Sequence, residues 1–364
     1  MVDFSRKTLR DLDWPVFLAP VALTLFGCVG IFSASPTTDF WKKQLVALVL
    51  GVIVAGVFAF TDYRKIMVEA APFFYAAALL LLVLVLTPLG ATLNGNRAWL
   101  RLPGISVQPS ELAKVATILM LARYVSQKRE GGLTIKDIVF LTAIVIPPVM
   151  LIFLEKDTGT VLTYGPILGV FLFLGGMRKV LVGASLVVVV AGLFAVYPHL
   201  KPYQRERINV VINPEKVNSR GYGYQTIQSE IAVGSGGVVG KGITHGTQGR
   251  LGFLPYAYSD FIGASLAEET GLIGVLFILA LYTIFIWRLS LIALGSRDRA
   301  GAMMVMGFVG LFTFHIICNL GMVVGLMPIM GIPLPLMSLG GTSIISVFAC
   351  IGLALSVRLR RFVN

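Results

Sequence analysis

Residues 71–89 read APFFYAAALLLLVLVLTPL and contain no charged side chain. An α-helix rises 1.5 Å per residue, so about 20 apolar residues cross the hydrocarbon core of a bilayer. This stretch therefore predicts a membrane-spanning helix, and similar apolar runs recur along the chain.

The whole chain has the composition of an integral membrane protein. Of its 364 residues 56% are hydrophobic and 13% are charged, with a mean hydropathy of +0.85, whereas soluble domains carry roughly 25% charged residues. We predict an all-α fold, a single polytopic membrane domain over residues 1–364 with about ten transmembrane helices. The predicted spans are residues 14–35, 40–61, 71–89, 111–124, 134–154, 160–175, 180–196, 261–287, 301–327 and 343–357.

The connections between these spans differ in their content of Lys and Arg. Both termini and one set of connections hold 17 of the 30 basic residues, and the short connections on the other side hold five. Basic residues concentrate on the cytoplasmic side, so we predict that both termini are cytoplasmic and that residues 198–260 form a large extracytoplasmic loop between spans 7 and 8. The net charge of +12 then reflects topology and contact with membrane lipid, and it predicts no nucleic-acid partner.

Motifs for soft metals and for nucleotides are absent from the sequence. The three cysteines lie in apolar runs without a C-x-x-C, and the three histidines are too scattered for a zinc site. The loop GSGGVVGKG, residues 234–242, departs from the Walker A pattern at two places and from G-x-G-x-x-G at the third glycine. Its glycines are compatible with a tight turn or with a backbone cradle for an anion.

Two outer segments place charges at the membrane surface. In NGNRAWLRLPGISVQPSELAK, residues 94–114, Glu111 and Lys114 share one face of a predicted helix and can pair. Lys114 lies within an apolar span, where an ionisable side chain is a functional candidate. In LEKDTGT, residues 154–160, Asp157 either joins these two side chains in a buried cluster or lies in a surface turn.

A third segment interrupts the membrane near the end of the chain. Residues 319–343, NLGMVVGLMPIMGIPLPLMSLGGTS, contain Pro328, Pro333 and Pro335, which oppose a continuous helix. Irregular backbone at membrane depth is tolerated where it is buried in protein or lines a wet cavity. We therefore predict that this segment forms one wall of a polar site.

Four stretches in this order resemble one family of membrane proteins. They are NGNRAWLRLPGISVQPSELAK (94–114), YGYQTIQSEIAVGSGGVVGKG (222–242), LPYAYSDFIGASLAEETGLIG (254–274) and GIPLPLMSLGGTS (331–343). In these motifs and their spacing the chain resembles the SEDS (shape, elongation, division and sporulation) family, and its elongation branch is the nearer one. The resemblance covers nearly the whole chain.

The resemblance implies a ten-span peptidoglycan glycosyltransferase of the bacterial cytoplasmic membrane, with its active site on the outer face. Members polymerise lipid II, an undecaprenyl diphosphate-linked disaccharide pentapeptide, onto a growing glycan strand. They work with a class B penicillin-binding protein, a transpeptidase that crosslinks the strands. The family's essential aspartate in L-P-x-x-x-x-D-F corresponds here to Asp260.

The chain departs from the usual family motifs at several places. L-P-E-A-H-T-D-F carries Tyr256, Tyr258 and Ser259 here at the Glu, His and Thr positions, so no role of those neighbours is carried over. Q-P-D-L-G-T appears as EKDTGT, residues 155–160, which keeps Asp157. S-Y-G-G appears as SLGG, residues 338–341.

The implied reaction assigns a task to Asp260. The acceptor sugar's 4-hydroxyl loses a proton as it attacks the anomeric carbon, and a partly desolvated carboxylate suits this general base step. On a continuous helix Glu268 would lie about 12 Å beyond Asp260, too far for the carboxylate pair of a retaining glycosidase, about 5–5.5 Å apart. We expect Glu268 and Glu269 to pair with other spans or to shape the cavity.

Other residues are expected to bind the substrate and its diphosphate. We predict no metal ligands and leave the cofactor unknown, with oxygen-bound Mg²⁺ or Mn²⁺ as an alternative to Lys or Arg for balancing the diphosphate charge. Arg97 is a further basic candidate. The predicted substrate-binding residues are Lys114, Glu111, Asp157, Arg101, Gln108, Lys241, Ser338 and Thr342.

Two other function classes are compatible with a polar cavity among many spans. A lipid II flippase would need access from both leaflets and no catalytic base, and a non-enzymatic scaffold would only recruit the crosslinking enzyme. Both tolerate Asp260→Asn, whereas glycosyl transfer does not.

Overall fold

The computed structural model describes residues 12–93, 96–102, 105–128, 132–178, 180–184, 187, 197–199, 202–212 and 222–361. Among these residues, seven helices are long and apolar enough to cross a membrane, and Thr158–Leu174 is a shorter apolar helix. In chain order the helices are α1 (Trp14–Ala34), α2 (Phe40–Phe60), α3 (Tyr63–Leu86), α4 (Pro109–Ser126), α5 (Ile135–Leu154), α6 (Thr158–Leu174), α7 (Pro202–Ile212), α8 (Tyr222–Gly236), α9 (Ile262–Leu294), α10 (Arg299–Val323) and α11 (Gly341–Leu359).

The predicted all-α membrane class is confirmed, with differences at the helix ends. Helix α4 begins at Pro109, because a proline is well suited to the first turn, where its missing N–H has no helical partner. Helix α10 ends at Val323 rather than at the predicted residue 327. Gly325, two residues after this end, has a φ of +71°, which is outside the helical range. The predicted span 180–196 lies largely outside the described residues.

The connections predicted to be extracytoplasmic contain more regular structure than the sequence predicts. Strands β1 (Gly90–Leu93), β2 (Asn96–Leu102) and β3 (Ile105–Val107) form an antiparallel sheet of three strands before α4. The expected loop 198–260 contains α7 and α8. These elements lie where the chain leaves the membrane bundle, and they contribute to the site.

Helices α10 and α11 form the centre of the bundle. Most residues of α10 and α11 are buried, whereas most residues of α9 are not. Helix α11 packs closely against α2, since a Cβ atom added at Gly352 would lie 2.4 Å from the carbonyl oxygen of Ala55. Small residues permit this approach of two backbones, which is typical of membrane helices.

An ion pair and a hydrogen bond anchor the ends of α10 and α11 that lie away from the site. The Arg64 guanidinium pairs with Asp298 at 2.7 Å, at the start of α10. Arg360 is buried at the end of α11 and donates to the carbonyl oxygen of Phe60 at 2.9 Å, at the end of α2. The first contact joins the start of α3 to the start of α10, and the second joins the end of α11 to the end of α2.

Candidate active site

A polar cavity of about 630 Å³ lies between the connections at one end of the bundle and the irregular segment that precedes α11. The sheet, the first turn of α4, the α5–α6 connection, α7, α8 and residues 256–260 contribute to its walls. The predicted wall from the irregular segment is present: Ile329, Met330, Gly331, Pro333, Ser338, Leu339 and Gly340 line the cavity.

Asp260 lies in the wall of this cavity, just before α9. The side-chain amide of Asn319, a fully buried residue of α10, donates to the carbonyl oxygens of Asp260 and Ile332, each at 2.9 Å. The Ser338 hydroxyl donates to the carbonyl oxygen of Ser259 at 2.7 Å. The backbone that carries the Asp260 carboxylate is therefore held from two sides.

The environment of Asp260 favours its neutral form. Burial raises the pKa of Asp260 from 3.8 to about 6, and the negative charge of Asp157 acts in the same direction. The positive charge of Arg207 and a hydrogen bond from Ser259 lower the pKa of Asp260 and offset part of this increase. Near neutral pH the carboxylate is ionised and more basic than an exposed aspartate.

Asp157 belongs to the cavity and not to a surface turn. Only 7% of the residue is exposed, and it caps α6 by accepting from the Thr160 backbone N–H at 3.0 Å and the Thr160 hydroxyl at 2.8 Å. The Gln108 side-chain amide donates to it at 3.4 Å. Burial raises the pKa of Asp157, and the hydrogen bonds from Thr160 oppose this shift.

Glu111 and Lys114 form the predicted pair, which is buried on the first turns of α4. The Lys114 ammonium lies 2.8 Å from a carboxylate oxygen of Glu111 and 3.4 Å from Nε2 of His315. Nδ1 of His315 lies 3.3 Å from the carbonyl oxygen of Pro333, so a proton on Nδ1 leaves Nε2 to accept from Lys114. Glu111 lines the main cavity, whereas Lys114 lines a smaller pocket behind it.

Only some of the other predicted binding residues line the cavity. Gln108 and Ser338 line it, whereas Arg101, Lys241 and Thr342 are not among its lining residues. The Thr342 hydroxyl lies 3.2 Å from both the Gln108 backbone N–H and the Ser106 carbonyl oxygen, and so joins α11 to the sheet. Arg101 is exposed on β2.

Glu268 and Glu269 hold the glycine-rich loop against α9. Glu268 is fully buried and accepts from the Lys241 ammonium at 2.6 Å, the Thr247 hydroxyl at 2.7 Å and the Gln248 backbone N–H at 3.0 Å. Glu269 accepts from the Ser33 hydroxyl of α1. Neither carboxylate lines the cavity, in agreement with the expectation that they pair with other elements.

The backbone of the same loop fits into a break in α9. Gly271 has a φ of +64° inside the helix, and the Leu272 N–H donates to the Gly237 carbonyl oxygen at 2.9 Å. In return the backbone N–H groups of Lys241 and Gly242 donate to the carbonyl oxygens of Glu268 and Glu269. These N–H groups are engaged within the protein, which favours the tight turn over the anion cradle.

Sequence reasoning missed several residues of the site. Lys156 lines the cavity, and so do Arg207 of α7 and Gln225 of α8. Asn319, which positions Asp260, was also missed. Among the described residues there is no group of three or more His, Cys, Asp or Glu side chains that could hold a metal ion.

Comparisons with known proteins agree with this architecture. Residues 14–361 match the FtsW/RodA/SpoVE family model, described as cell cycle protein. The chain is 36% identical to the peptidoglycan glycosyltransferase MrdB of Escherichia coli, over 98% of this chain and 97% of that protein. It is 34% identical to a probable peptidoglycan glycosyltransferase FtsW of Trichlorobacter lovleyi, over 98% and 96% of the two chains.

Solved structures extend the likeness to the fold. A chain from a peptidoglycan synthase complex, in a study of how polymerization and crosslinking are coordinated, superposes with a TM-score of 0.82 at 32% identity, covering 97% of this chain and 99% of that one. The rod shape determining protein RodA of Thermus thermophilus gives a TM-score of 0.72 at 30% identity, covering 97% and 98%. The chain belongs to the FtsW/RodA/SpoVE family, the SEDS proteins that its four motifs resemble.

Proposed function

We propose that this multi-pass membrane protein, a peptidoglycan glycosyltransferase, polymerises lipid II in the described cavity with Asp260 as the general base. The observation that carries the assignment is a half-buried carboxylate in the wall of a 630 Å³ polar cavity, held by Asn319 and Ser338 through the neighbouring backbone. A base of this kind needs a fixed position beside the substrate and a pKa close to the working pH.

The reaction requires one proton transfer and one displacement. The 4-hydroxyl oxygen of the acceptor sugar forms a bond to the anomeric carbon of the donor, and the bond from that carbon to the lipid diphosphate breaks. The hydroxyl proton passes to the Asp260 carboxylate, and the diphosphate leaves with the electron pair of the broken bond. Only one base is needed, because the diphosphate leaves as an anion without being protonated.

The other cavity residues have supporting roles in this scheme. Gln108 and the carboxylates of Glu111 and Asp157 present polar groups that suit the hydroxyl and amide groups of a disaccharide peptide. Lys114 neutralises Glu111 from behind, at 2.8 Å. Ser338 acts through the backbone of residue 259 and not through direct contact.

The cavity faces the outer side of the cytoplasmic membrane in this proposal. Basic residues concentrate at the opposite helix ends, where Arg64 pairs with Asp298 and Arg360 caps α2. By the positive-inside rule that end is cytoplasmic, and both termini lie on the same side. Residues 198–260 then belong to the extracytoplasmic surface.

A class B penicillin-binding protein is the proposed partner. Support comes from the similarity to a chain of a peptidoglycan synthase complex that coordinates polymerization with crosslinking. A transpeptidase beside the cavity would receive the strand as it is made.

The test is polymerisation of labelled lipid II by the purified protein with its transpeptidase partner, resolved by glycan length. We expect long strands from the wild type and from Asp39→Asn, an exposed aspartate on the α1–α2 connection, and none from Asp260→Asn. If the wild type yields no polymer but moves lipid II across vesicle membranes, the flippase alternative replaces this proposal. If it does neither and still binds the transpeptidase, the scaffold alternative replaces it.

A further inference from the structure

The proposed function leaves the diphosphate of the donor without an assigned binding group. Three carboxylates, Glu111, Asp157 and Asp260, line the cavity. A diphosphate entering beside them needs a positive charge on the same surface, because like charges at close range repel strongly where water is excluded.

Three of the four basic residues expected from sequence are engaged elsewhere, and the fourth, Arg101, is exposed on β2 and does not line the cavity. Lys114 is 2% exposed and lies behind Glu111, and Lys241 pairs with Glu268 at 2.6 Å outside the cavity lining. Arg97 donates to the carbonyl oxygens of Thr87 and Gly90, and so stabilises the start of the sheet.

Two basic residues line the cavity in the part of the chain that the structure describes, Arg207 and Lys156. Arg207 lies in the middle of α7 and is half-buried. Lys156 is exposed on the α5–α6 connection, beside Asp157. The two side chains come from segments about 50 positions apart in sequence and meet at one cavity.

We propose that Arg207 binds the diphosphate of the lipid-linked donor, with Lys156 as a second positive charge at the rim of the cavity. This inference rests on the proposed function and adds the binding group for its leaving group. A guanidinium suits the task, because its planar donors can bind two phosphate oxygens at once and it stays charged at any relevant pH.

The same residue links donor binding to the base. Three charged or titratable groups interact electrostatically with Asp260. They are Arg207 on α7, Asp157 just before α6, and Tyr258, which lies two residues before Asp260 in the chain. Arg207 favours the ionised carboxylate in the empty cavity. A diphosphate bound to Arg207 would offset this effect, so the basicity of Asp260 would rise when the donor is in place.

The test compares Arg207→Gln with Arg205→Gln, a matched arginine on α7 that does not line the cavity and donates to the carbonyl oxygen of Pro198. The probes are undecaprenyl diphosphate and undecaprenyl monophosphate, each used to displace fluorescent lipid II from the detergent-solubilised protein. The titrations are run in EDTA and again in Mg²⁺, so that a contribution from a metal ion is separated from that of the side chain.

We expect Arg207→Gln to weaken binding of undecaprenyl diphosphate about 10- to 100-fold, the usual effect of losing a charged hydrogen bond. It should also lose the preference for diphosphate over monophosphate, and Arg207→Lys should recover part of the affinity. Arg205→Gln should bind both lipids as the wild type does.

Unchanged affinity and unchanged preference in Arg207→Gln would overturn the inference, even if the wild type makes long glycan strands. Conversely, tight and Arg207-dependent binding of undecaprenyl diphosphate by a wild type that makes no strands would support this site and refute the proposed function. The two claims therefore fail separately.

Discussion

The side-chain amide of Asn319 donates a hydrogen bond of 2.9 Å to the backbone carbonyl oxygen of Asp260. A second bond of the same length joins it to Ile332 in the irregular segment. One fully buried residue of α10 therefore links the segment that carries the base to the irregular segment packed beside it.

Replacing Asn319 by alanine should lower kcat more than it raises KM. The substitution removes both donors and allows the backbone at residue 260 to move, and a displacement of about 1 Å at a reacting group can reduce the rate about 100-fold. The measurement is steady-state polymerisation, with Thr283→Ala, an exposed α9 position, as the control. A rate within twofold of the wild type would show that Asp260 keeps its position without this contact.

The polymerisation rate should depend on pH in a way set by Asp260. Because its pKa is raised to about 6, the base is protonated below that value, and kcat/KM should fall as the pH drops through about 6. Removing the positive charge in Arg207→Gln should raise the pKa of Asp260 further and move this decline to higher pH. A decline that begins only near pH 4 would indicate an exposed, unperturbed carboxylate.

The burial of Glu155 predicts that the free energy of unfolding depends on pH. Its side chain is completely buried and both carboxylate oxygens lack a partner. Burial raises the pKa of Glu155 from 4.5 to about 8, and the charge of Asp157 adds to this shift. The folded protein therefore holds a proton that the unfolded chain releases, so the stability of the folded state falls as pH rises from about 4.5 through 8.

Glu155→Gln should reduce this pH dependence, because glutamine keeps the shape of the side chain and cannot ionise. Gln is also the residue of the usual family pattern at this place. The measurement is thermal unfolding in detergent at pH 5 and pH 8 for both proteins. Equal changes in Tm between the two pH values would contradict the assignment.

Glu268→Ala should destabilise the loop of residues 237–253 and lower the Tm. It removes a buried carboxylate that accepts from the exposed Lys241, from Thr247 and from Gln248, and the loss of a hydrogen bond to a charged group costs about 1.5–3 kcal/mol. Protease cleavage within residues 237–253 should increase, whereas Glu69→Ala, at an exposed position, should leave both readouts unchanged. An unchanged Tm would mean that the loop is held mainly by its backbone contacts with α9.

The sequence was sufficient to predict the membrane class, most of the spans and the carboxylates of the cavity. Apolar runs follow directly from the thickness of the bilayer, and charged residues such as Glu111 and Asp157 stand out next to them. The motifs of the family supplied Asp260.

Residues whose role depends on tertiary contacts could not be predicted in this way. Arg207 lies in a segment whose composition resembles a loop, and only the fold of α7 brings it to the cavity. Asn319 looks like one polar residue in an apolar span, because its two acceptors are backbone oxygens that no sequence pattern marks. The three short strands before α4 are likewise fixed by pairing with one another.

The central claim is that Asp260 removes the proton from the acceptor hydroxyl, and the rate of the first glycosidic bond tests it most directly. The experiment mixes labelled lipid II with excess protein and its transpeptidase partner, and compares the wild type with Asp260→Asn after equal lipid II binding has been verified. We predict that Asp260→Asn binds lipid II and forms no detectable product. Bond formation by Asp260→Asn at the wild-type rate would contradict the claim and assign the base to another residue.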